Sequence, residues 1–340
     1  MISFECDYNN GAHPLVLSHL VDTNAEQTLT YGYDCYSERA KEKIREACQD
    51  PEADVFLLVG GTQTNTTVID GMLRSYEGVV CCATGHIGVH ESGAIERSGH
   101  KVITLPSCSG KLDAEDLRQF MCEFEADDSR DHVAQPGMVY ISFPTELGTL
   151  YEAREIEAIA QVCRKHDLKF FVDGARLGYG LAASSTVTLP FLASHCDAFY
   201  IGGTKVGALC GEAVVFPRHG ALRQFVSIVK QHGALLAKGR LVGVQFDALF
   251  TDGLYLSISR HAIDMACKLK SLLQQKDYPF YIDSPTNQQF VILPNAEVAR
   301  LEKLVQFTHW GPYDETHMIC RFVTSWATTD NDIETLRDCL

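Results

Sequence analysis

Seven short apolar runs between Asp54 and Phe216 constrain the fold of this chain more than any other feature. They are DVFLLV, GVVCCA, KVITL, MVYIS, KFFVD, DAFYIG and EAVVF. Most lack the alternation of a half-exposed strand, which indicates strands buried on both faces. The segments between them have helical spacing, so each is predicted to be a crossover that returns the chain for a parallel strand. We predict an α/β fold with a mostly parallel seven-stranded sheet flanked by helices.

Two of the intervening segments show the helical pattern clearly. The first follows Asp113, a residue type that caps helices, and its apolar positions are Leu117, Phe120, Met121 and Phe124. The second precedes KFFVD, and its apolar positions are Ile156, Ile159, Ala160 and Cys163.

The pattern of predicted helices and strands changes beyond about Gly253. A long helical stretch (254–274) precedes short strands in FYID, QQFVILP and MICRFVTSW, with a polar helix NAEVARLEKL and a closing helix from Asn331. We therefore predict an N-terminal arm (1–15), a large domain (16–250) and a small α+β domain (251–340). The sequence has no internal repeat and no proline-rich linker.

Charge and hydropathy exclude several classes of function. The 340 residues carry a formal net charge of −15 without a Lys/Arg run, so nucleic acid is not an expected partner. The apolar runs are far shorter than the roughly 20 residues of a membrane helix. The N-terminus shows no signal peptide. We expect a cytoplasmic protein that acts on a small molecule.

The 13 cysteines are scattered without a C-x-x-C pair. A disulfide framework is not expected in a long chain without a signal, and a zinc site needs clustered ligands. We predict reduced, buried thiols and no bound metal.

Four of the predicted strands are followed by residues that suit a ligand, and ligands bind at the carboxyl ends of such strands. Gly61 and Thr62 follow DVFLLV and open a helix, which favours an anion. His86 follows GVVCCA. Asp173 ends KFFVD and needs a cation, either Arg176 or a ligand's protonated ring nitrogen. Lys205 follows DAFYIG.

Each of these residues also has a commonplace interpretation. The glycine–threonine turn can be an ordinary helix start, His86 a surface or core histidine, and Lys205 a lysine whose amine reaches solvent. Together, however, they supply what pyridoxal 5'-phosphate requires: a phosphate anchor, a flat partner, a carboxylate for the pyridine nitrogen and an amine for the Schiff base. The joint pattern favours that cofactor. Gly202 and Gly203 are then expected to leave room for it beside the lysine.

The order GGTQTN, TGHIGVHESGA, FFVDGARLG and YIGGTK resembles the threonine aldolase and beta-eliminating lyase family of fold type I pyridoxal-phosphate enzymes. The resemblance extends to GALLAKGRLVGVQF, DSPTNQQF and RFVTSWATT. It implies a large cofactor-binding domain, a small C-terminal domain, and a homodimer or homotetramer with active sites at subunit interfaces.

The resemblance also implies roles for individual residues. Lys205 would form the Schiff base, Asp173 would face the pyridine nitrogen and His86 would stack on the ring. Gly61 and Thr62 would hold the phosphate, and Arg176 and Arg321 would receive the substrate carboxylate. The remaining residues would line the site, some of them from a neighbouring subunit: Tyr31 and a basic residue of AKGR, Lys238 or Arg240.

Two stretches depart from the family pattern on the substrate side. The usual Ser-Asp-Thr is replaced by Cys6-Asp7-Tyr8, and the usual Thr-His-Asn-Gly by a stretch containing Glu146. The implied reaction is cleavage of the Cα–Cβ bond of threonine or allo-threonine to glycine and an aldehyde. The base for the β-hydroxyl stays open between His86, Glu146 and water. The alternatives are a β-eliminating lyase, an aminotransferase or a racemase acting on another amino acid, or a scaffold without activity.

Overall fold

All seven predicted runs form strands of one sheet in the computed structural model, which describes residues 1–340. After a short first strand, β1 (Ile2–Ser3), they are β2 (Asp54–Leu58), β3 (Glu77–Cys82), β4 (Val102–Leu105), β5 (Gln135–Ser142), β6 (Lys169–Asp173), β7 (Ala198–Gly202) and β8 (Glu212–Phe216).

The strand order is β2-β8-β7-β6-β5-β3-β4; β8 runs antiparallel to β2 and β7, and all other neighbouring pairs are parallel. Residues 203–211 are too few for a helical crossover, so the chain turns back directly from β7 into β8. The prediction of a mostly parallel sheet is confirmed. Since β5, β6 and β7 are adjacent and parallel, the residues that follow them meet at one edge.

The helices are α1 (Pro14–Asp22), α2 (Cys35–Cys48), α3 (Gly61–Met72), α4 (His86–Val89), α5 (Ala94–Arg97), α6 (Ala114–Ala126), α7 (Ala153–Lys165), α8 (Leu177–Ala183), α9 (Leu189–His195), α10 (Phe225–Gln231), α11 (Arg240–Leu249), α12 (Leu254–Gln275), α13 (Asn295–Leu301) and α14 (Asp330–Cys339). The Asp113 carboxylate caps α6 by accepting from the Glu115 backbone N–H at 2.7 Å. Both helical patterns predicted before KFFVD are confirmed.

The large sheet separates two hydrophobic cores. Ile141 and Val172 belong to a cluster of 44 buried residues on one face. Their neighbours Tyr140 and Phe171 belong to a cluster of 18 buried residues on the other. Burial on both faces is the reason that these strands read as continuous apolar runs.

A second, antiparallel sheet has the strand order β12-β13-β10-β9. Its strands are β9 (Phe280–Ile282), β10 (Gln288–Pro294), β12 (Thr308–Pro312) and β13 (His317–Val323), and a short β11 (Val305–Gln306) pairs with β1. The three strands predicted in this part are confirmed, whereas β11 and β12 lack a clear apolar pattern and were missed. The exact domain boundaries stay a prediction.

All 13 cysteines are free, and six of them are buried. Cys267, which the helical pattern places in α12, is exposed, so burial does not extend to every thiol. None of the helices has the length and apolar character that crossing a membrane requires.

Candidate functional site

A cavity of about 440 Å³ lies where the carboxyl edge of the large sheet meets the antiparallel sheet. Arg176, Lys205 and Glu146 line it from the large sheet, and Trp310 and Arg321 line it from β12 and β13. Most of these side chains carry charge or hydrogen-bonding groups. The wall of this cavity therefore comes partly from the strand ends of the large sheet and partly from the C-terminal antiparallel sheet.

Asp173 is the most heavily hydrogen-bonded carboxylate at this edge. Its Oδ1 accepts from the Tyr200 hydroxyl at 2.5 Å and the Ala175 backbone N–H at 2.9 Å. Its Oδ2 accepts from the Tyr140 hydroxyl at 2.5 Å and from Asn65 Nδ2 at 2.8 Å. Burial opposes ionisation, but the charge of His86 and these bonds hold the pKa of Asp173 below its usual value. The carboxylate stays negative inside the protein.

A second buried carboxylate, Glu91, links His86 to this network. Glu91 Oε1 lies 2.7 Å from His86 Nδ1 and accepts a hydrogen bond from Asn65 Nδ2 at 2.7 Å. Asn65 thus joins Glu91 to Asp173. The sequence analysis missed Asn65 and Glu91, although both lie in the stretches quoted there, because their spacing reveals no contact.

The His86, Glu91 and Asp173 ligand atoms lie within 4.8 Å of one another, which is close enough to hold a metal ion. Asp173, however, already accepts four hydrogen bonds, from Asn65, Tyr140, Tyr200 and Ala175. These donors already stabilise the negative charge of the carboxylate, so its ionisation does not depend on a metal ion.

Lys205 follows β7 and lines the same cavity. Burial, together with the positive charge of Arg176, lowers the pKa of its amine, while Asp7, Asp173 and Glu212 act in the opposite direction. Its Nζ lies 5.8 Å from the centre of the Tyr8 ring. A lysine with a lowered pKa carries more of the neutral amine that attacks carbonyl groups.

Gly202 and Gly203 next to this lysine do not serve the purpose that the sequence suggested. A Cβ at position 202 would lie 2.3 Å from the Ala175 carbonyl oxygen, and one at position 203 would lie 2.7 Å from that of Gly211. The expectation that they leave room for a cofactor is corrected: they let the chain pack against its own backbone.

Arg176 does not pair with Asp173, which corrects one of the two alternatives for that carboxylate. Its Nε donates to Asp7 Oδ2 at 2.7 Å and its Nη2 donates to Asp7 Oδ1 at 2.9 Å. Asn287 Nδ2 donates to the same Oδ2 at 2.9 Å. Asp173 is therefore left without a cation from its own chain within ion-pair distance.

Arg321 on β13 lines the cavity, as expected for a residue that contacts substrate. Its Nη1 donates to Gln288 Oε1 at 3.1 Å and its Nη2 donates to the Thr308 hydroxyl at 3.1 Å, while its Nε is buried without a partner. Burial and the charge of Arg176 lower the pKa of Arg321. Two guanidinium groups that repel each other across one cavity favour an anion between them.

Glu146 is buried beside His86. Its Oε1 accepts from the His86 backbone N–H at 3.0 Å and from the Ser142 hydroxyl at 2.5 Å. Burial raises the pKa of Glu146, although the Ser142 hydrogen bond opposes this. Glu146 therefore holds a proton more readily than an exposed glutamate does.

Helix α3 begins at Gly61 without a side-chain cap, since its N-cap is Gly60. The first backbone N–H groups of a helix have no partner within the helix, and the helix dipole adds positive potential there. Gly61 lies beside Tyr200, whose hydroxyl a Cβ would approach to 3.3 Å. The predicted anion site at Gly61 and Thr62 thus adjoins the Asp173 network through Tyr200.

Seven predicted site residues are not among those lining the cavity. Three of them, Asp173, Gly61 and Thr62, belong to the hydrogen-bonded network and the helix start described above, and the other four lie elsewhere. Cys6 is partly buried next to Asp7, and Tyr31 is exposed at a positive φ of 58° with the Lys230 amine 4.8 Å from its ring centre. Lys238 is exposed, and Arg240 donates to the backbone carbonyls of Glu26 and Thr23. In the single chain, none of these four residues lines the cavity that contains Lys205.

A cavity of about 530 Å³ around Asp247 is larger, but its central carboxylate is already paired with basic side chains. Arg39 Nη2, Lys43 Nζ and His19 Nε2 lie 2.6, 2.5 and 3.1 Å from the Asp247 carboxylate oxygens. Its charges satisfy one another, so the smaller cavity is the better candidate site.

Comparison with known proteins confirms the family resemblance found in the sequence. Residues 20–296 match the family model described as "Beta-eliminating lyase". The chain is 30% identical over 274 residues to the low specificity L-threonine aldolase of Pseudomonas sp. (strain NCIMB 10558), covering 79% of this chain and 78% of that protein. It is 28% identical to the enzyme of that name from Pseudomonas aeruginosa, covering 98% and 95%. The solved structure of Leishmania major threonine aldolase superposes with a TM-score of 0.95 at 37% identity, covering 99% and 98%.

Proposed function

The chain belongs to the beta-eliminating lyase family, and on that premise we propose that it binds pyridoxal 5'-phosphate and cleaves β-hydroxy-α-amino acids. The proposed substrates are threonine and allo-threonine, and the products are glycine and an aldehyde. The observation that carries the proposal is the convergence of Lys205, Asp173 and His86 at one sheet edge beside an uncapped helix.

The residues at this edge fit the cofactor group by group. The free backbone amides of Gly61 and Thr62 suit its phosphate. Asp173 is a buried carboxylate without an ion-pair partner in its own chain, and its negative charge suits a pyridinium nitrogen. The His86 ring, held by Glu91, offers a flat face to the heterocycle. The Lys205 amine, with its lowered pKa, suits the cofactor's aldehyde.

When bound, pyridoxal phosphate supplies the electron sink that makes cleavage of a Cα–Cβ bond possible. The protein's own residues orient the substrate. A carboxylate between Arg176 and Arg321 would fix one end of the amino acid, because two guanidinium groups face the cavity and Asp7 balances only one of them. This anchoring would set the scissile bond relative to the ring.

We further propose that the enzyme is a homodimer or homotetramer in which Tyr31 and Lys238 or Arg240 approach a neighbour's site. Its support is that these residues lie outside the cavity of their own chain, while apolar side chains near them are exposed, including Leu29, Tyr33 and Leu241. Mixing Lys205→Ala and Tyr31→Ala subunits tests it. Random hybrids of a dimer would recover about a quarter of wild-type activity, because half of their sites are intact. No recovery contradicts a shared site.

The reaction is tested by the products formed with added cofactor. We expect aldehyde and glycine from threonine, allo-threonine or phenylserine, and no turnover by Lys205→Ala, whereas Lys270→Ala at a surface ion pair retains activity. A keto acid formed from another amino acid, with no aldehyde from these three, would instead establish a β-eliminating lyase or aminotransferase. A protein that shows no aldimine absorption after incubation with the cofactor and removal of the unbound excess, and no adduct after borohydride reduction, would contradict the whole proposal.

A further inference from the structure

His90 lines the cavity, and its ring nitrogens are not engaged by other side chains. It caps the end of α4, where its backbone N–H donates to the His86 carbonyl at 2.9 Å. Its side chain lines the cavity together with Lys205, Arg176 and Arg321. Neither of its ring nitrogens takes part in a hydrogen bond within the chain, whereas Nδ1 of His86 is held by Glu91.

Trp310 supports the His90 ring from the other domain. The two ring centres are 5.9 Å apart at an angle of 61°, and His86 lies 5.6 Å from His90 on its own helix. Trp310 also packs against Phe290 at 5.1 Å and lies under the Arg321 guanidinium at 5.1 Å. His90 and Arg321 thus flank the same indole.

A β-bulge turns Trp310 toward the cavity. His309 pairs with Cys320 and Gly311 pairs with Ile319, so Trp310 is the extra residue of β12. Bulges redirect a side chain that regular pairing would place elsewhere. The position of the indole beside His90 is therefore built into the strand.

His90 and Glu146 line the same cavity but have different charged neighbours. The charges that act on His90 are those of His86, Arg321, Lys205 and Arg176. Those that act on Glu146 are Asp173 and His86, and its carboxylate is bonded to Ser142. The geometry agrees with this difference: His90 shares Trp310 with Arg321, whereas the Glu146 carboxylate is held by Ser142 and the His86 backbone N–H.

We propose that His90 accepts the proton of the substrate's β-hydroxyl group and that Trp310 is the positioning residue for its ring; this inference rests on the proposed function. The O–H bond breaks as its proton moves to a ring nitrogen of His90. The electron pair of that bond forms the aldehyde C=O while the Cα–Cβ bond breaks. The pair from the Cα–Cβ bond stays with Cα, which takes up one proton to become glycine. His90 then releases its proton, so protons and electrons balance.

The surroundings of His90 favour the neutral ring that a base requires. His90 is exposed to solvent at the cavity, but partial desolvation lowers its pKa, and the charges of His86 on α4, Arg321 on β13, Lys205 after β7 and Arg176 after β6 lower it further. The remaining titratable side chains that line the cavity are Tyr8, Glu146 and His309. A ring that stays neutral at pH 7 can accept a proton in the transition state.

The test compares His90→Gln with the wild type in the presence of cofactor. Two reactions are followed: aldehyde release from threonine, and exchange of the glycine α-hydrogen with deuterium, which involves no β-hydroxyl. We expect kcat for cleavage to fall about 10²-fold or more, while KM and glycine exchange change less than about threefold. The fall of kcat for cleavage at low pH (the acid limb of the pH profile), which protonation of His90 would cause, should disappear in His90→Gln. His317→Gln, at an exposed histidine paired with Asp314, should leave both reactions unchanged.

Two further readouts separate a base from a structural residue. Trp310→Leu should lower kcat for cleavage by about tenfold but keep the acid limb, because the base is still present. In the cofactor-free protein, the NMR titration of the imidazole signal lost in His90→Gln should give a pKa below the reference of about 6.5.

Three results would overturn the assignment of His90. They are a His90→Gln enzyme that cleaves threonine within about threefold of wild type, an equal loss of glycine exchange and cleavage, or a His90 pKa above the reference. A wild-type protein that catalyses neither reaction would contradict the proposed function itself, and the role of His90 with it. Wild-type activity in both reactions together with unaltered cleavage by His90→Gln would contradict His90 alone.

Discussion

Asp7 and Arg176 form a buried bidentate ion pair, with Arg176 Nε 2.7 Å from Oδ2 of Asp7 and Nη2 2.9 Å from Oδ1. The Asp7 side chain is fully buried and that of Arg176 is 12% exposed. Burial opposes ionisation of Asp7, but the charges of Arg176 and Lys205 hold its pKa below the usual value. The pair fixes the guanidinium at the wall of the cavity.

Replacing Asp7 by Ala should destabilise the protein, because a buried guanidinium loses its counter-charge. We expect the free energy of unfolding to fall by about 3–5 kcal/mol, measured by urea denaturation. Arg337→Ala, which removes an exposed helical pair with Glu334, should cost less than about 1 kcal/mol. A loss for Asp7→Ala no larger than that of Arg337→Ala would show that the ion pair does not support the fold.

Asp173→Asn should impair the proposed cofactor site more than the fold. Asparagine keeps an acceptor for one or two of the four hydrogen bonds but no longer offers a negative charge to a pyridinium nitrogen. We expect kcat/KM for threonine to fall at least about 100-fold, together with weaker binding of pyridoxal phosphate by spectroscopic titration. Asp283→Asn, at an exposed side chain, is the control and should retain both. Unaltered kcat/KM in Asp173→Asn would exclude the proposed role.

Asp247 should make stability depend on pH at the acid end. Burial opposes its ionisation, but hydrogen bonds from Arg39, Lys43 and His19 lower its pKa to about 2. A carboxyl group whose pKa is lowered on folding adds stability above its unfolded value of about 3.9, and this is lost as the pH falls toward 2. Wild type should exceed Asp247→Asn in unfolding free energy at pH 6 by more than at pH 3. A difference independent of pH between 6 and 3 would contradict this.

The strand pattern predicted most of the fold because the five inner strands of the large sheet are buried along most of their length and therefore read as apolar runs. The edge strand β12, with the sequence THWGP, is half-exposed and bulged, so no pattern marks it. Trp310 was missed for that reason. The antiparallel direction of β8 follows from the length of the preceding loop rather than from its own residues.

The site residues that were predicted from the sequence are those that lie at or directly after the end of a strand. Lys205, Asp173 and His86 are of this kind, and the structure brings the first and last to one cavity with Asp173 behind them. Partners that come from distant segments were not predictable from spacing. Asp7 reaches Arg176 across 169 positions of sequence, and Asn65 reaches Asp173 across 108.

The covalent attachment of the cofactor to Lys205 is the central claim, and one measurement tests it directly. The protein is incubated with pyridoxal phosphate, reduced with borohydride, digested and mapped by mass spectrometry. We predict a single stoichiometric adduct on Lys205, which burial and the charge of Arg176 keep reactive, and none in Lys205→Ala. Stoichiometric labelling of another lysine, or no adduct at all, would contradict the account.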